Sequence, residues 1–273
     1  QNVTCLSIRT EAESGNGVVG GGEFQCSIAT TVDVSGGVGI RSGMTSALSF
    51  TGAAGYQLTV LGNVTGGSAS YTYGIWHQGA GNLVVDGDVT GGSASNTHGI
   101  YGGTGSISVT GNVTGGSGSG SRGIFAGTGS VSITGNVTGG GSGYAFGLNI
   151  NSGTATITGD VTGGSNSGAY GVSNGSGTVT ITGDVFNGAG YGVWNDTGTV
   201  TIYGVAKPNP SNPLGNHVLF HNSTTAGYIA VDAIEPDPTV LIFPSIRGRV
   251  YIRDTNTGYI RMYDTQGQLQ TFI

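Results

Sequence analysis

Residues 130–140 read Ser-Val-Ser-Ile-Thr-Gly-Asn-Val-Thr-Gly-Gly, and variants of this stretch recur along most of the chain. A fixed period of this kind is typical of solenoid proteins, in which each repeat buries its apolar side chains against its neighbours. We therefore expect a stack of similar coils. The Gly-Asn/Asp-Val core of the repeat places its second residue every 24 or 25 residues, at Asn63, Asp88, Asn112, Asn136, Asp160 and Asp184.

Each repeat carries two patterns that are typical of β-strands. Apolar and hydroxyl residues alternate strictly in residues 130–134 and 178–182, and a shorter apolar pattern occurs in residues 191–194. The Gly-rich runs between these patterns supply turn positions that accept a positive φ, and no helical period occurs. The sequence therefore predicts an all-β fold: a single-stranded parallel β-helix (β-solenoid) with coils of about 24 residues, each made of two strands and two turns.

Three regions are expected along the chain. Residues 1–55 are interpreted as N-terminal capping and degenerate coils. Residues 56–232 are interpreted as β-helix repeats with a Pro-rich loop at 207–213, and residues 233–273 as an assembly or docking segment. Alternating strands and intervening turn residues predict that this last segment is a short antiparallel β meander. Its arginines and apolar end are the candidate assembly residues: Arg247, Arg249, Arg253, Arg261 and Phe272.

Composition excludes several classes of protein. The chain has 273 residues, of which 57 are Gly, with only 8 Lys and Arg against 14 Asp and Glu. The net charge of −6 argues against a nucleic acid partner, because binding to nucleic acid depends on clustered cations. No apolar run is long enough for a transmembrane helix, so no membrane insertion is expected.

Two cysteines, Cys5 and Cys26, leave two interpretations open. They are either small buried residues or a disulfide between adjacent turns. The disulfide would imply an oxidising or extracellular setting, because such bonds persist there.

Asp160 and Asp184 are the only candidates for paired catalytic carboxylates that the repeats suggest. They share one repeat position, so their Cα atoms are expected about 5 Å apart on adjacent coils, as an acid/base pair or a calcium site. Three other repeats have Asn at this position, however, and Asn or Asp is what a tight turn requires. We therefore expect no catalytic residue, no metal site and no cofactor, and a protein that is not an enzyme.

Aromatic residues recur at two repeat positions. The first lies two residues after the Gly of a recurring Gly-aliphatic pair, such as Gly74-Ile75. It is expected to point outward, because the aliphatic residue beside it points inward. Such a column could stack on sugar rings, or it could simply stabilise the solenoid by ring contacts. A second column contains Tyr73, Phe146, Tyr170 and Tyr191. The glycan-binding candidates are the residues of the first column: Trp76, Tyr101, Phe125 and Trp194.

Hydroxyl residues form a third outward column, such as Ser130 and Ser132 in one repeat and Thr178 and Thr180 in another. This column resembles the Thr-x-Thr face of β-solenoid ice-binding proteins. The alternative explanation is the high β-propensity of hydroxyl residues together with solubility that needs no charge, and this alternative is preferred.

The repeats, best preserved in residues 159–172 and 177–188, resemble repeats in structural proteins of tailed bacteriophages and in large bacterial surface adhesins. The phage resemblance implies a fibre, spike or head-decoration protein at the virion surface, often trimeric and often receptor-binding. It also implies homo-oligomers, other virion or surface structural proteins, and cell-surface carbohydrate as partners. The expected function is thus a non-enzymatic virion appendage. The alternative is an extracellular or cell-surface adhesin or filament subunit, ahead of a carbohydrate-active enzyme or an ice-binding protein.

Overall fold

The computed structural model describes residues 46–166, 168–187 and 190–207 in full and, outside these ranges, little beyond the backbone of the strands. The described part of the chain is all-β and contains no helix. Successive strands pair in parallel as the chain winds forward, which confirms the predicted parallel β-helix. Seven consecutive coils lie in the fully described part.

Each coil contains a long strand that follows the alternating pattern of the sequence. Inward Val and Ile residues are buried, whereas the Ser and Thr residues between them face outward, as in Ser130–Thr134. The long strands of the described coils are Gln57–Leu61, Asn82–Asp86, Ser106–Thr110, Ser130–Thr134, Thr154–Ile157, Thr178–Ile181 and Thr199–Lys207.

A two-residue short strand follows each long strand except Thr199–Lys207, whose own end pairs with the preceding short strand. The sequence prediction of two strands per coil missed this short strand. The Val-Thr pair of the Asn-Val-Thr segment, interpreted as part of a turn, pairs instead with its equivalents one coil away, because its Val points into the core and fixes the register. The short strands are Val64–Thr65, Val89–Thr90, Val113–Thr114, Val137–Thr138, Val161–Thr162 and Val185–Phe186.

The third strand of each coil is here named the aromatic strand. It has three residues, or two in Ser245–Ile246, and these strands form a separate sheet. Its first residue is buried and its middle residue faces outward. The ten strands of this sheet are Phe24–Cys26, Leu48–Phe50, Ile75–His77, Ile100–Gly102, Ile124–Ala126, Leu148–Ile150, Val172–Asn174, Val193–Asn195, Phe220–Asn222 and Ser245–Ile246.

One continuous apolar core runs through all the described coils. In the coil that contains Ile124, Val131, Ile133 and Val137, all three strands contribute side chains that are at most 3% exposed. The turn between the long and the short strand needs glycine at Gly135, which has a φ of +154°. A Cβ there would clash with the carbonyl oxygen of Gly111 in the preceding coil.

Parallel pairing extends beyond the described coils toward the N terminus. The strands Val3–Thr4, Val18–Gly20, Thr30–Asp33 and Ile40–Ser42 each pair in parallel with a strand one coil further on. Thr30–Asp33 pairs with the first long strand, Gln57–Leu61. Cys26 ends an aromatic strand, whereas Cys5 lies outside the described residues, so their pairing stays a prediction.

The C-terminal meander is formed as predicted. Arg249–Arg253 pairs antiparallel with Ile260–Tyr263, which pairs antiparallel with Leu269–Phe272. Arg249–Arg253 also pairs in parallel with Tyr228–Ile234, so the parallel stack continues past the boundary predicted at residue 233.

The assembly candidates lie mostly on these terminal strands. Arg249 and Arg253 lie on the first strand of the meander, and Arg261 pairs in register with Phe272 on the next two. Arg247 and the predicted Pro-rich loop after Lys207 fall outside the described residues, and the assembly role stays a prediction.

Candidate functional site

The middle residues of the aromatic strands form one outward column. Trp76, Tyr101 and Phe125 are paired in register on three successive coils, which confirms that they share a position and face outward. Trp76 is 38% exposed, whereas Tyr101 and Phe125 are half-buried. The next positions of the column are Asn149, Ser173 and Trp194, so the structure separates Trp194 from the other three candidates by two coils without a ring.

A second column lies immediately before the aromatic strands. Each residue of this column is followed by a Gly, whose N–H donates a hydrogen bond to the carbonyl oxygen of the column residue in the next coil. Gly99 N–H, for example, donates to the carbonyl oxygen of Arg122 at 3.0 Å. These bonds keep the column residues stacked. The sequence prediction found four members and missed His98 and Arg122, although both precede a Gly-Ile pair as Tyr73 does. The complete column is Tyr73, His98, Arg122, Phe146, Tyr170 and Tyr191.

The two columns pack against each other, and together we name them the aromatic ladder. Tyr101 stacks between Tyr73 and Phe125, with ring centroids 5.0 and 4.9 Å apart. Further along, Tyr170 stacks on Phe146 at 4.7 Å and on Trp194 at 5.5 Å. Such ring pairs stabilise a fold beyond the area that they bury.

Arg122 joins the two ring clusters of the ladder. Its guanidinium carbon lies 5.0 Å from the ring centroid of Phe125 and 5.2 Å from that of Phe146. Each contact is a cation–π interaction, which is stronger where water is excluded. In the first column, Phe125 is followed on the next coil by Asn149, which has no ring. Arg122 connects the two ring clusters across this gap.

His98 is held neutral beside Arg122. Burial, followed by the nearby positive charge of Arg122, lowers the pKa of His98 to about 3. The backbone N–H of Arg122 donates a 3.1 Å hydrogen bond to His98 Nδ1, which must therefore be the unprotonated nitrogen. Burial also lowers the pKa of Arg122 and raises that of Tyr73. A guanidinium nevertheless stays protonated in proteins, so Arg122 is a permanent cation.

The Asn/Asp position of the repeat forms a second ladder along the turns. The side-chain Oδ1 of each residue accepts a hydrogen bond from the backbone of the following coil, as in Asp160 N–H to Asn136 Oδ1 at 2.8 Å. Asp184 N–H donates to Asp160 Oδ1 at 2.8 Å, so these two carboxylates follow the same rule. These bonds confirm the interpretation of this position as a turn residue.

Asp184 occupies the last described position of that ladder. Its Oδ1 accepts the Val205 N–H at 2.8 Å, and its Oδ2 lies 2.7 Å from Lys207 Nζ. Burial raises the pKa of Asp184, but the contacts with Lys207 and Val205 lower it by more, so that the net pKa is below its usual value. The carboxylate is thus ionised and held by groups of its own chain.

Polar side chains also enter the core at the third position of the aromatic strands. Asn174 Nδ2 donates to Asn195 Oδ1 at 2.8 Å, and Asn195 Nδ2 donates to the Gly198 carbonyl at 2.9 Å. His77 is fully buried, and its Nε2 lies 3.0 Å from the Gly81 carbonyl. The repeat pattern does not reveal these residues, because their burial depends on the coil as a whole.

The outward residues of the long strands form the hydroxyl face. Ser132 pairs in register with Ser108 and Thr156, and all three side chains are exposed. The turns on the far side of the short strands line a groove of about 870 Å³ over five coils. Its walls are the Thr-Gly-Gly-Ser or Thr-Gly-Gly-Gly segments 65–68, 90–93, 114–117, 138–141 and 162–165.

Within the described ranges, no group of three or more His, Cys, Asp or Glu side chains could hold a metal ion. No helix in that part of the chain is long and apolar enough to cross a membrane. Comparisons with known protein families, with curated proteins and with solved structures give no match to the chain.

Proposed function

We propose that the chain is a non-enzymatic structural appendage of a virion surface: a fibre, spike or decoration protein whose β-helix forms a rigid rod. The observation that carries this proposal is the continuous register of the described coils, in which the long strands from Gln57–Leu61 to Thr178–Ile181 pair residue for residue. Each coil is fixed to the next by backbone hydrogen bonds and by one core, which gives a stiff rod.

The virion surface is inferred from the resemblance of the repeats to structural proteins of tailed bacteriophages. The Asn/Asp ladder supports the non-enzymatic part, because its carboxylates hold backbone N–H groups of neighbouring coils. The aromatic ladder supports a glycan-binding role along the rod. The side chain of Trp76 is 38% exposed, and an exposed indole ring can stack on the C–H face of a sugar.

A second candidate is an extracellular adhesin or filament subunit, which the same resemblance suggests. A stack of parallel strands ends in an edge with unpaired N–H and C=O groups, and such an edge can pair with another copy. Copies joined in this way grow end to end without closing.

The mass of the purified chain by light scattering, with negative-stain images of the same sample, separates the candidates. We expect a small closed oligomer seen as short rods of uniform length. Open-ended filaments would favour the filament subunit instead. A stable monomer with no affinity for capsid or tail proteins would overturn the virion proposal.

A glycan array tests the binding role of the aromatic ladder. We expect Trp76→Ala to weaken glycan binding, because it removes the most exposed ring of the first column. Tyr203→Ala is the matched control, since Tyr203 is 56% exposed on a long strand away from the ladder. Equal binding by both variants would show that the ladder is only structural.

A further inference from the structure

A second surface feature lies beside Arg122, at the tips of the Gly/Ser-rich turns. It is a pocket of about 490 Å³, within the range of small-molecule sites, and three successive coils contribute to it. Its lining consists of Ser95, Asn96, Ser119, Gly120, Arg122, Tyr144 and Phe146.

Arg122 is a cation without an anionic partner in the described part of the chain. The ion pair found there joins Lys207 to Asp184, and no carboxylate of the described residues lies within 4 Å of the Arg122 guanidinium. Its Nε is buried and has no hydrogen-bond partner. Arg122 as a whole is partly buried. A partly buried cation without a counter-ion is destabilising, so binding of an anion in the pocket would be favourable.

The groups around Arg122 leave its charge available to a ligand. The guanidinium carbon lies 5.0 Å from the ring centroid of Phe125 and 5.2 Å from that of Phe146, and neither ring carries a charge that would neutralise it. The neighbouring imidazole of His98 is neutral and accepts a hydrogen bond from the backbone of Arg122. The site therefore carries a single positive charge in a fixed position.

The pocket wall offers hydrogen-bonding groups of the kind that sugars use. The side chains of Ser95, Asn96 and Ser119 have no hydrogen-bond partner among the described residues, so their hydroxyl and amide groups are free to bind a ligand. Gly120, with a φ of +72°, leaves space beside Asn96 that a Cβ would occupy. The ring of Tyr144 is 65% exposed at the rim, where a sugar ring can stack on it.

We propose that this pocket binds an acidic saccharide, with its carboxylate on the guanidinium of Arg122, its hydroxyls on the Ser and Asn side chains, and its ring against Tyr144. The proposal rests on the glycan-binding role proposed above and names the class of glycan. The single guanidinium of Arg122 can pair with one carboxylate of the sugar. The 65% exposed ring of Tyr144 favours a saccharide over an acidic peptide, because a sugar ring can stack on it.

Calorimetric titration and saturation-transfer NMR of the full chain test the proposal with three probes. These are a trimer of galacturonic acid, the matched neutral trimer of galactose, and triglutamate as the acidic peptide. We expect the galacturonic acid trimer to bind at least about tenfold more tightly than the galactose trimer, because charge-assisted hydrogen bonds to Arg122 add to the shared contacts.

Arg122→Gln is expected to abolish this preference, and Tyr144→Ala to weaken binding of both sugars. Lys207→Gln is the matched control, because it removes the other cation of the described residues and should leave the preference intact. Since Arg122→Gln also removes two ring contacts, circular dichroism must show that it is folded. If it is not, Arg122→Lys serves instead: it keeps the charge, loses the planar fork and is expected to lower the preference severalfold.

An unchanged preference in the Arg122 variants would overturn the proposal, as would equal binding of the two sugars by the unaltered chain. Tighter binding of triglutamate than of the acidic sugar would overturn the assignment of a saccharide ligand and indicate an acidic peptide instead. Equal binding of the acidic and neutral sugars would leave the proposed glycan-binding rod standing. The rod itself is tested separately by the mass and images of the particle.

Discussion

The hydroxyl face and the aromatic ladder follow the same alternation of inward and outward residues, yet their outward side chains behave differently. On the hydroxyl face, Ser132 is exposed, and its hydroxyl has no hydrogen-bond partner within the described residues, although Ser108 and Thr156 lie directly beside it. In the ladder, Tyr170 contacts the rings of both Phe146 and Trp194. Coils repeat about every 4.8 Å, so stacking stabilises only side chains large enough to touch across that distance.

The strongest test of this comparison concerns the core that the two surfaces share. Ile133 on a long strand and Ile124 on an aromatic strand are both at most 1% exposed. We expect Ile133→Ala and Ile124→Ala each to lower the free energy of unfolding by about 2–5 kcal/mol, because each leaves a cavity. Urea unfolding followed by circular dichroism measures the loss.

Ser132→Ala is the control for this pair, because Ser132 is the outward neighbour of Ile133. Its effect should stay within about 0.5 kcal/mol, as for most surface substitutions. If one Ile variant loses much less free energy of unfolding than the other, the two surfaces do not share one core.

A pH dependence specific to the aromatic ladder is the next largest expected effect. The pKa of His98 is about 3 in the folded chain against 6.5 ordinarily, so the unfolded chain binds the proton more readily. The contribution of the neutral His98 to the free energy of unfolding is then fully present above pH 6.5. It is lost as the pH drops toward 3, by at most about 1.4 kcal/mol per pH unit.

Denaturant midpoints of the unaltered chain and of His98→Phe between pH 4 and 7 measure this contribution. The variant should lose less stability on acidification, because it has no imidazole to protonate. His77, whose pKa burial also lowers, and all carboxylates are present in both proteins, so their effects cancel. Identical slopes would show that His98 is accessible to protons in the folded chain.

Removal of a ring from the ladder should cost more than removal of a hydroxyl from the hydroxyl face. We expect Tyr170→Ala to destabilise the chain by roughly 1–3 kcal/mol, because it removes stacked contacts with two rings. Thr180→Ala, at an outward position of a neighbouring long strand, should change stability by less than about 0.5 kcal/mol. Thermal unfolding measures the stability of both variants. Tyr170→Phe is the control and is expected to be as stable as the unaltered chain. Equal losses of stability in Tyr170→Ala and Thr180→Ala would contradict the comparison.

The smallest expected effect concerns the turns. Asn136→Ala removes the acceptor of the Asp160 N–H and should cost about 1 kcal/mol, the net value of one hydrogen bond. Asn136→Asp keeps that acceptor oxygen and should be nearly neutral. Thermal unfolding of the two variants measures the difference. If Asn136→Ala is as stable as Asn136→Asp, water replaces the ladder bond without loss.

Parts of the fold and of the candidate site were predictable from the repeats. The spacing of Trp76, Tyr101 and Phe125 placed them in one column, because residues one period apart lie side by side in a solenoid. His98 and Arg122 were missed because their residue types differ from those of the rings around them. Only their position before a Gly-Ile pair marks them as members of the ladder.

The sequence by itself determined the period of the coil, the inward and outward alternation of the long strand, and the turn role of the Asn/Asp position, because these follow from the spacing of residues along one chain. The tertiary structure decided which side chains meet. Three of these arrangements join residues from different coils. Arg122 lies near Phe125 and Phe146, and it lies beside the neutral imidazole of His98. The pocket is lined by Ser95, Ser119 and Tyr144. Such contacts depend on the exact stacking of neighbouring coils, which brings residues about 24 positions apart into contact.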